Sequence, residues 1–176
     1  GMATADVIDA YNGAPNSYRW RMLGKREMLV PYNSYKVHQR GIPYAEILQQ
    51  KTLNPSLLRY ELHRVWVVEA TLKPGLTHAY GKRVFYLDED SWQILLVDLY
   101  DRAGRLIGLQ ESHPINYYEV PVFVSTLETL YDLQNTRFKL AEVATMAHVV
   151  RSFVNDCIQR LLDGTLDDEA AYMAKW

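Results

Sequence analysis

The alternation of apolar and polar positions is most regular between Leu58 and Gln110, where it predicts four consecutive antiparallel strands joined by tight turns. The longest runs from Leu58 to Leu72. One parity carries Tyr60, Leu62, Trp66, Val68, Ala70 and Leu72; the other carries Arg59, Glu61 and His63, then Val65 and Val67. A period of two, rich in β-branched and aromatic residues, marks a strand. Lys73-Pro74-Gly75 is the first turn and Tyr80 to Leu87 the second strand. Asp88-Glu89-Asp90-Ser91 turns the chain into a third strand, Trp92 to Tyr100. Asp101 to Gly104 closes another hairpin, its glycine suited to the positive-φ position of a bulged turn, and Arg105 to Gln110 is the fourth strand.

The flanking chain is less regular. Asp6 to Tyr11 reads as a short helix stopped by Asn12-Gly13 and Pro15. Tyr18 to Val30 alternates loosely through Trp20, Met22, Met28 and Val30 and reads as one or two strands around Gly24. Ser34 to His38 resumes extended structure, and Pro43 to Gln50 is a short helix with proline at its start. Glu111 to Tyr118 reads as a polar loop. Val120 to Leu133 and Arg137 to Val143 are further strands, with Pro121 at an edge or a strand start. Beyond them the period changes: Val154, Cys157, Ile158, Leu161 and Leu162 recur at helical spacing, with Asn155 as N-cap and Gly164 as stop. Asp167-Asp168-Glu169 opens a last helix with its acids where the helix dipole favours them.

Two central strands are apolar on both faces. Val65 and Val67 oppose Trp66 and Val68, while Leu95, Val97 and Leu99 oppose Trp92, Ile94 and Leu96. A half-exposed antiparallel sheet is apolar on one side only, so both sides here require cover. A sheet sandwiched by helices would provide it. So would a curved sheet with helices on one face, its concave side packed or left open as a cavity. Arg64 and Asp98 interrupt these faces. A charge inside an apolar face is costly unpaired, so each calls for a partner or for water, with Arg83 as one further partner.

Composition narrows the class. With 176 residues the chain forms one domain, and its net charge of −2 gives no electrostatic footprint for nucleic acid. A single cysteine, Cys157, excludes an intrachain disulfide and a cysteine-based zinc cluster. No apolar run has the length to cross a bilayer, Gly1-Met2 reads as the remnant of a tag, and no signal peptide follows it. Thirteen tyrosines and four tryptophans suit half-wet cavities and rims. The five histidines lack metal-ligand spacing, and no phosphate loop, dinucleotide fingerprint or nucleophile elbow is present. Asp88-Glu89-Asp90 reads as a solvated turn, and Glu61 with His63 as a rim salt bridge. The expectation is a non-enzymatic protein with no cofactor and no metal.

Arg59 to Gly75, Phe85 to Ile94, Gly24 to Asn33 and Tyr131 to Gln134 together resemble a Gram-negative family of unknown function whose members are labelled outer membrane lipoprotein-sorting proteins. The resemblance covers roughly Tyr11 to Phe138 and matches the C-terminal part of longer family members. Thr136 stands where the family has glycine, and Phe153-Val154-Asn155 replaces Phe-Thr-Pro. The resemblance implies the fold of the carriers LolA and LolB, a mainly β, unclosed half-barrel of curved antiparallel sheet with a few covering helices. On that basis residues 1–176 form one LolA/LolB-like domain: a sheet over 14–143 with a short helix near 43–50, and a helical segment over 153–176. It also implies a periplasmic location and an envelope transporter or outer-membrane protein as partner.

Together these readings predict a carrier that holds lipid, lipoprotein acyl chains or another long apolar molecule in the concave face. The expected lining is Tyr60, Leu62, Trp66, Val68, Phe85, Trp92, Ile94 and Leu96, with Arg64 at the mouth meeting an anionic head group and Phe153 to Leu162 as a lid. The rival reading is an accessory module that docks on an envelope exporter through an exposed apolar patch, without a small ligand.

Overall fold

A computed structural model describes residues 4–50, 52–135, the backbone of 137–142, and residues 159, 160 and 163. Seven strands form one antiparallel sheet in strict sequence order: β1 (Tyr18–Pro31), β2 (Tyr60–Leu72), β3 (Lys82–Asp88), β4 (Ile94–Tyr100), β5 (Leu106–Tyr117), β6 (Val122–Asp132) and β7 (Arg137–Glu142). The meander and its turns stand where the alternation predicts them, and the sheet stays open, with β1 and β7 as its edges. Of the expected helix and lid over 153–162 only residues 159 and 160 are described, and both are helical; Cys157 and the expected helix from 167 onward lie outside the described residues.

One extra residue decides which side chains go where. The β1–β2 register slips between Met22 and Gly24, leaving Leu23 unpaired in a bulge, and Gly24 takes a φ of 107° that suits glycine. A bulge moves the following residues to the other side of the sheet. Trp20 and Met22 pair with Ala70 and Val68 on one surface, whereas Met28 and Val30 pair with His63 and Glu61 on the opposite one.

The sheet bends toward that second surface. Flat strands about 4.8 Å apart would place β1 roughly 19 Å from β5. Instead the two come within 8 Å, the Tyr60 hydroxyl of β2 donates to Glu111 of β5 at 3.1 Å, and the Ser34 N–H donates to the Pro114 carbonyl at 2.8 Å. The inner surface is filled by Val30, Val65, Val67, Val84, Tyr86, Leu95 and Leu96. The connector between β1 and β2 packs Val37, Ile47 and Leu53 beside Leu127 of β6 to close it further along. The outer surface is covered at the opposite end of the strands. There Val7 and Ala10 of the N-terminal segment sit on Tyr18, Ala70, Phe85, Val97, Leu99 and Leu130.

Four expectations change. Residues 35–38 form turns rather than extended chain, because Asn33 with a φ of 51° has already bent the chain across the sheet. The expected helix near 43–50 shortens to one turn, α1 (Tyr44–Ile47), and Leu48 then bridges to Leu53. The expected helix over 6–11 is a 3₁₀ turn, Ala5–Val7, followed by left-handed Asp9 and Ala10. Glu111 to Tyr117 is not a loop but the second half of β5. Its polar side chains face polar groups across the inner and outer surfaces, which a pattern based on hydrophobicity alone reads as solvent exposure.

This packing makes a checkable distinction between neighbouring leucines. Leu95 is 0% exposed and Leu62 is 67% exposed. Leu95→Ala is expected to cost about 2–5 kcal/mol, and Leu62→Ala to stay within about 0.5 kcal/mol, in urea unfolding.

Candidate functional site

Residues paired directly across an antiparallel ladder share a side of the sheet. Trp66 pairs with Lys25 and Leu87, and Leu87 with Ile94; Val68 pairs with Met22 and Phe85, and Phe85 with Val97. Leu62 opposite Leu29 extends the same row. The structure therefore brings Leu62, Trp66, Val68, Phe85 and Ile94 onto one face of the sheet, the outer one, with Arg64 between Leu62 and Trp66. Trp92, in the turn after β3, stacks on Trp66 with ring planes 16° apart. Leu96 pairs with Tyr86 and Glu111 and belongs to the inner core. Tyr60 reaches inward to Glu111. Arg64 lies on the outer row between Leu62 and Trp66, exposed, and its Nε donates to Glu89 at 2.6 Å. The same carboxylate takes Lys25, whose Nζ sits 4.4 Å from the Trp66 ring.

This outer surface has an open half and a covered half. Trp20, Met22, Leu29, Leu62 and Trp92 are exposed. Phe85 is buried beneath the stacked Trp20 ring and the edge of Tyr11. The cover is a strap, Thr4 to Asn12, fastened by polar side chains from three strands. Arg83 of β3, 0% exposed among apolar neighbours, gives its Nη2 to Asp6 of the strap. Its guanidinium carbon lies 5.0–5.4 Å from the ring centres of Tyr11, Tyr18 and Tyr80. The Arg83 Nε and Nη1 are buried with no acceptor among the described residues. Burial works against ionised Asp6, but hydrogen bonds from Thr4 and Arg83 and the charges of Arg83 and His78 hold its carboxyl below the usual range.

Gln110 of β5 donates to the Val7 carbonyl at 2.6 Å. Glu128 of β6 accepts from the backbone N–H groups of Asp9 and Ala10, the two residues with φ of 54° and 62°. Burial, reinforced by the Asp9 charge, pushes the Glu128 carboxyl up to about 7. None of these three anchors stood out in the sequence as a functional residue. Beside the strap, Tyr80, Leu99, Ile107, Gly108 and Leu130 line a groove of about 370 Å³.

The inner surface carries two carboxylate–histidine groups. His63 Nδ1 lies 3.1 Å from Asp88, with Tyr32 stacked on the imidazole at 3.9 Å. Asp88 also receives the Ser91 N–H and hydroxyl and the Tyr32 hydroxyl. His63, Asp88 and Asp90 place ligand-type atoms within 4.8 Å of one another, and Asp88 Oδ2 already accepts three hydrogen bonds, two from Ser91 and one from Tyr32. The second group is Glu111 with His113, 3.7 Å apart. Burial opposes ionisation of Glu111, yet the nearby His113 imidazole and the hydroxyls of Tyr60 and Tyr131 hold its carboxyl below the usual range.

The strap's polar fastenings predict a pH response. A carboxyl whose folded pKa is raised binds its proton more tightly in the folded state. Its contribution is full below the unfolded value and fades as pH rises through the folded one. For Glu128 the window runs from about 4.5 to about 7. Asp6, shifted the opposite way, acts only below its ordinary value of 3.8. Stability is therefore expected to fall between pH 5 and pH 7.5, by up to about 1.4 kcal/mol per pH unit. Glu128→Gln flattens that slope in urea titrations at the two pH values.

Residues 1–156 match the family model described as protein of unknown function (DUF1329). A curated relative, an uncharacterized protein of Pseudomonas aeruginosa, is 50% identical over 138 residues, which cover 78% of this chain and 30% of that protein. The chain thus spans about a third of the relative's length. Among solved structures it is similar to a Vibrio parahaemolyticus domain described as an outer membrane lipoprotein-sorting protein. The TM-score is 0.46 at 16% identity, covering 78% of this chain and 47% of that one. It is also similar to a DUF1329 family protein of Desulfovibrio piger, with a TM-score of 0.42 at 15% identity over 73% and 42% of the two chains. A LolA superfamily protein of Nitrosomonas europaea gives a TM-score of 0.40 at 12% identity over 72% and 44%. By the extent of the family match, this chain is a member of the DUF1329 family.

Proposed function

We propose that the protein is a non-enzymatic, periplasmic carrier or binding protein for lipid, acyl chains or another long apolar molecule. The observation that carries this reading is the apolar outer surface. It runs from the covered Phe85, Val97 and Leu130 to the half-buried Trp66 and, past the Arg64–Glu89 pair, to the exposed Leu62 and Leu29. Each buried CH₂ contributes roughly 0.8 kcal/mol, so a chain laid along such a row binds after the cost of association is met. The inner surface, into which the sheet bends, is filled by the protein's own side chains and by the β1–β2 connector. The site proposed here is therefore the outer row of Leu62, Trp66, Val68, Phe85, Trp92 and Ile94, with Arg64 beside its open half. Tyr60 and Leu96 serve the interior.

The rival reading, an accessory module on an envelope exporter, draws on the exposure of Leu62 and Trp92 at 67% and 63%. It requires the open half to be a protein contact and gives the groove beside Tyr80 no role. Displacement of a lipophilic dye, with native mass spectrometry of the purified chain, separates the two. The carrier reading predicts dye uptake that saturates and is competed by long-chain lipids. Trp66→Ala is expected to weaken uptake roughly tenfold through lost apolar and ring contact. A chain that takes up neither dye nor lipid returns the open surface to the docking reading.

A further inference from the structure

The strap does to the outer surface what a bound amphiphile would do. It brings one carboxylate, Asp6, to a buried arginine and lays Val7, Ala10 and Tyr11 over apolar side chains. We propose that the strap from Thr4 to Asn12 occupies a binding site for a single-chain anionic amphiphile, whose carboxylate takes the place of Asp6 on Arg83 and whose chain replaces Val7, Ala10 and Tyr11 against Phe85, Val97, Leu99 and Leu130. This deepens the reading above and rests on it.

Three observations point to an external anion at Arg83. First, the guanidinium is fully buried; its Nη2 serves Asp6 and lies 3.5 Å from His78 Nε2, while Nε and Nη1 face the Tyr18 side and have no well-formed acceptor among the described residues. Arginine presents a planar fork suited to both oxygens of a carboxylate, and the strap fills only part of it. Second, the strap is held in a conformation L-residues avoid, with two successive non-glycine residues at positive φ. That conformation persists because Glu128 accepts their N–H groups and Gln110 holds Val7. A segment tied at a few polar points and strained between them belongs to the low-stability end of local opening. Third, the groove beside Tyr80 shares Tyr80, Leu99 and Leu130 with the surface beneath the strap, so a chain entering there advances directly toward Arg83. Its volume of about 370 Å³ falls within the roughly 300–1,000 Å³ of small-ligand sites.

The charged groups facing the site are Asp6, Asp9, His78, Arg83 and Glu128, and Asp132 lines the groove beside Tyr80. Ligand chain and strap would fill the same space over Phe85, Val97, Leu99 and Leu130, so any change that loosens the strap raises apparent affinity by the fraction of open state it restores.

The test uses the purified chain at pH 7.5 with dodecanoate and 1-dodecanol, each below its aggregation concentration, read by calorimetric titration and by hydrogen exchange of amides in residues 6–11. Dodecanoate is expected to bind more tightly than dodecanol and to remove protection from those amides. Asp6→Asn is expected to tighten dodecanoate binding roughly tenfold by freeing the competed state. Arg83→Met, which keeps an unbranched stem in the core, is expected to erase the preference for the acid over the alcohol. If Arg83→Met does not fold, Asp6→Asn and the exchange of the unaltered chain still decide. Binding of both probes with the strap still protected and Asp6→Asn unchanged would overturn the strap proposal and leave the open outer surface as carrier site. Binding of neither probe overturns both readings.

Discussion

A guanidinium in the middle of an apolar sheet face sets the terms for half of this molecule. Arg83 pairs with Ala70 and Leu99, neither of which offers it anything polar. Left alone it would carry a large desolvation cost. The chain answers with the Asp6 carboxylate and with three phenol rings, whose π faces attract a cation more strongly out of water. To bring Asp6 there, the N-terminal segment must cross the sheet, and once it crosses, its own backbone groups need partners. Gln110 and Glu128 meet that need from β5 and β6. One charge on β3 thus accounts for the position of the strap, for the polar residues inside two neighbouring strands, and for the left-handed turn at Asp9 and Ala10.

The bulge at Leu23 sets the other half. By moving Val30 to the inner surface it puts the end of β1 over Val65 and Leu96 and leaves Leu29 outside. Apolar positions are thereby distributed to both faces, and the two covers sit at opposite ends of the strands. Neither cover extends over the outer surface near Trp66, where a tryptophan pair, a lysine over a ring and an Arg64–Glu89–Lys25 cluster border open apolar area.

The strands were legible because alternation with β-branched and aromatic residues is a local property, and β2 through β4 carry it without interruption. The need to cover both faces was legible for the same reason. The bulge was not, since Trp20, Met22, Met28 and Val30 share a parity in sequence and only pairing with β2 shows that they part at Gly24. Glu111 and His113 read as loop residues because the side chain they meet, Tyr60, lies more than fifty residues away in sequence. Phe85 read as lining a cavity, whereas it lies beneath Trp20 and Tyr11. The anchors Gln110 and Glu128 carry no local signal, because their task is to satisfy the strap's backbone, which appears only once the strap is in place.

Where the outer surface is open, it suits either a lipid chain or another protein, since both bury apolar side chains. The covered part distinguishes them. A protein docking on Leu29, Leu62 and Trp92 has no use for a fully buried arginine with two donors that find no acceptor among the described residues. It has no use either for a strained strap over the most apolar part of the same face. On the proposed reading an amphiphile would use all of them: its head would take the place of Asp6 on the arginine and its chain would continue the row of Phe85 and Val97. The residues that resolve the burial of Arg83 are therefore the ones that the proposed ligand would have to replace, with a carboxylate for Asp6 and an apolar chain for Val7, Ala10 and Tyr11.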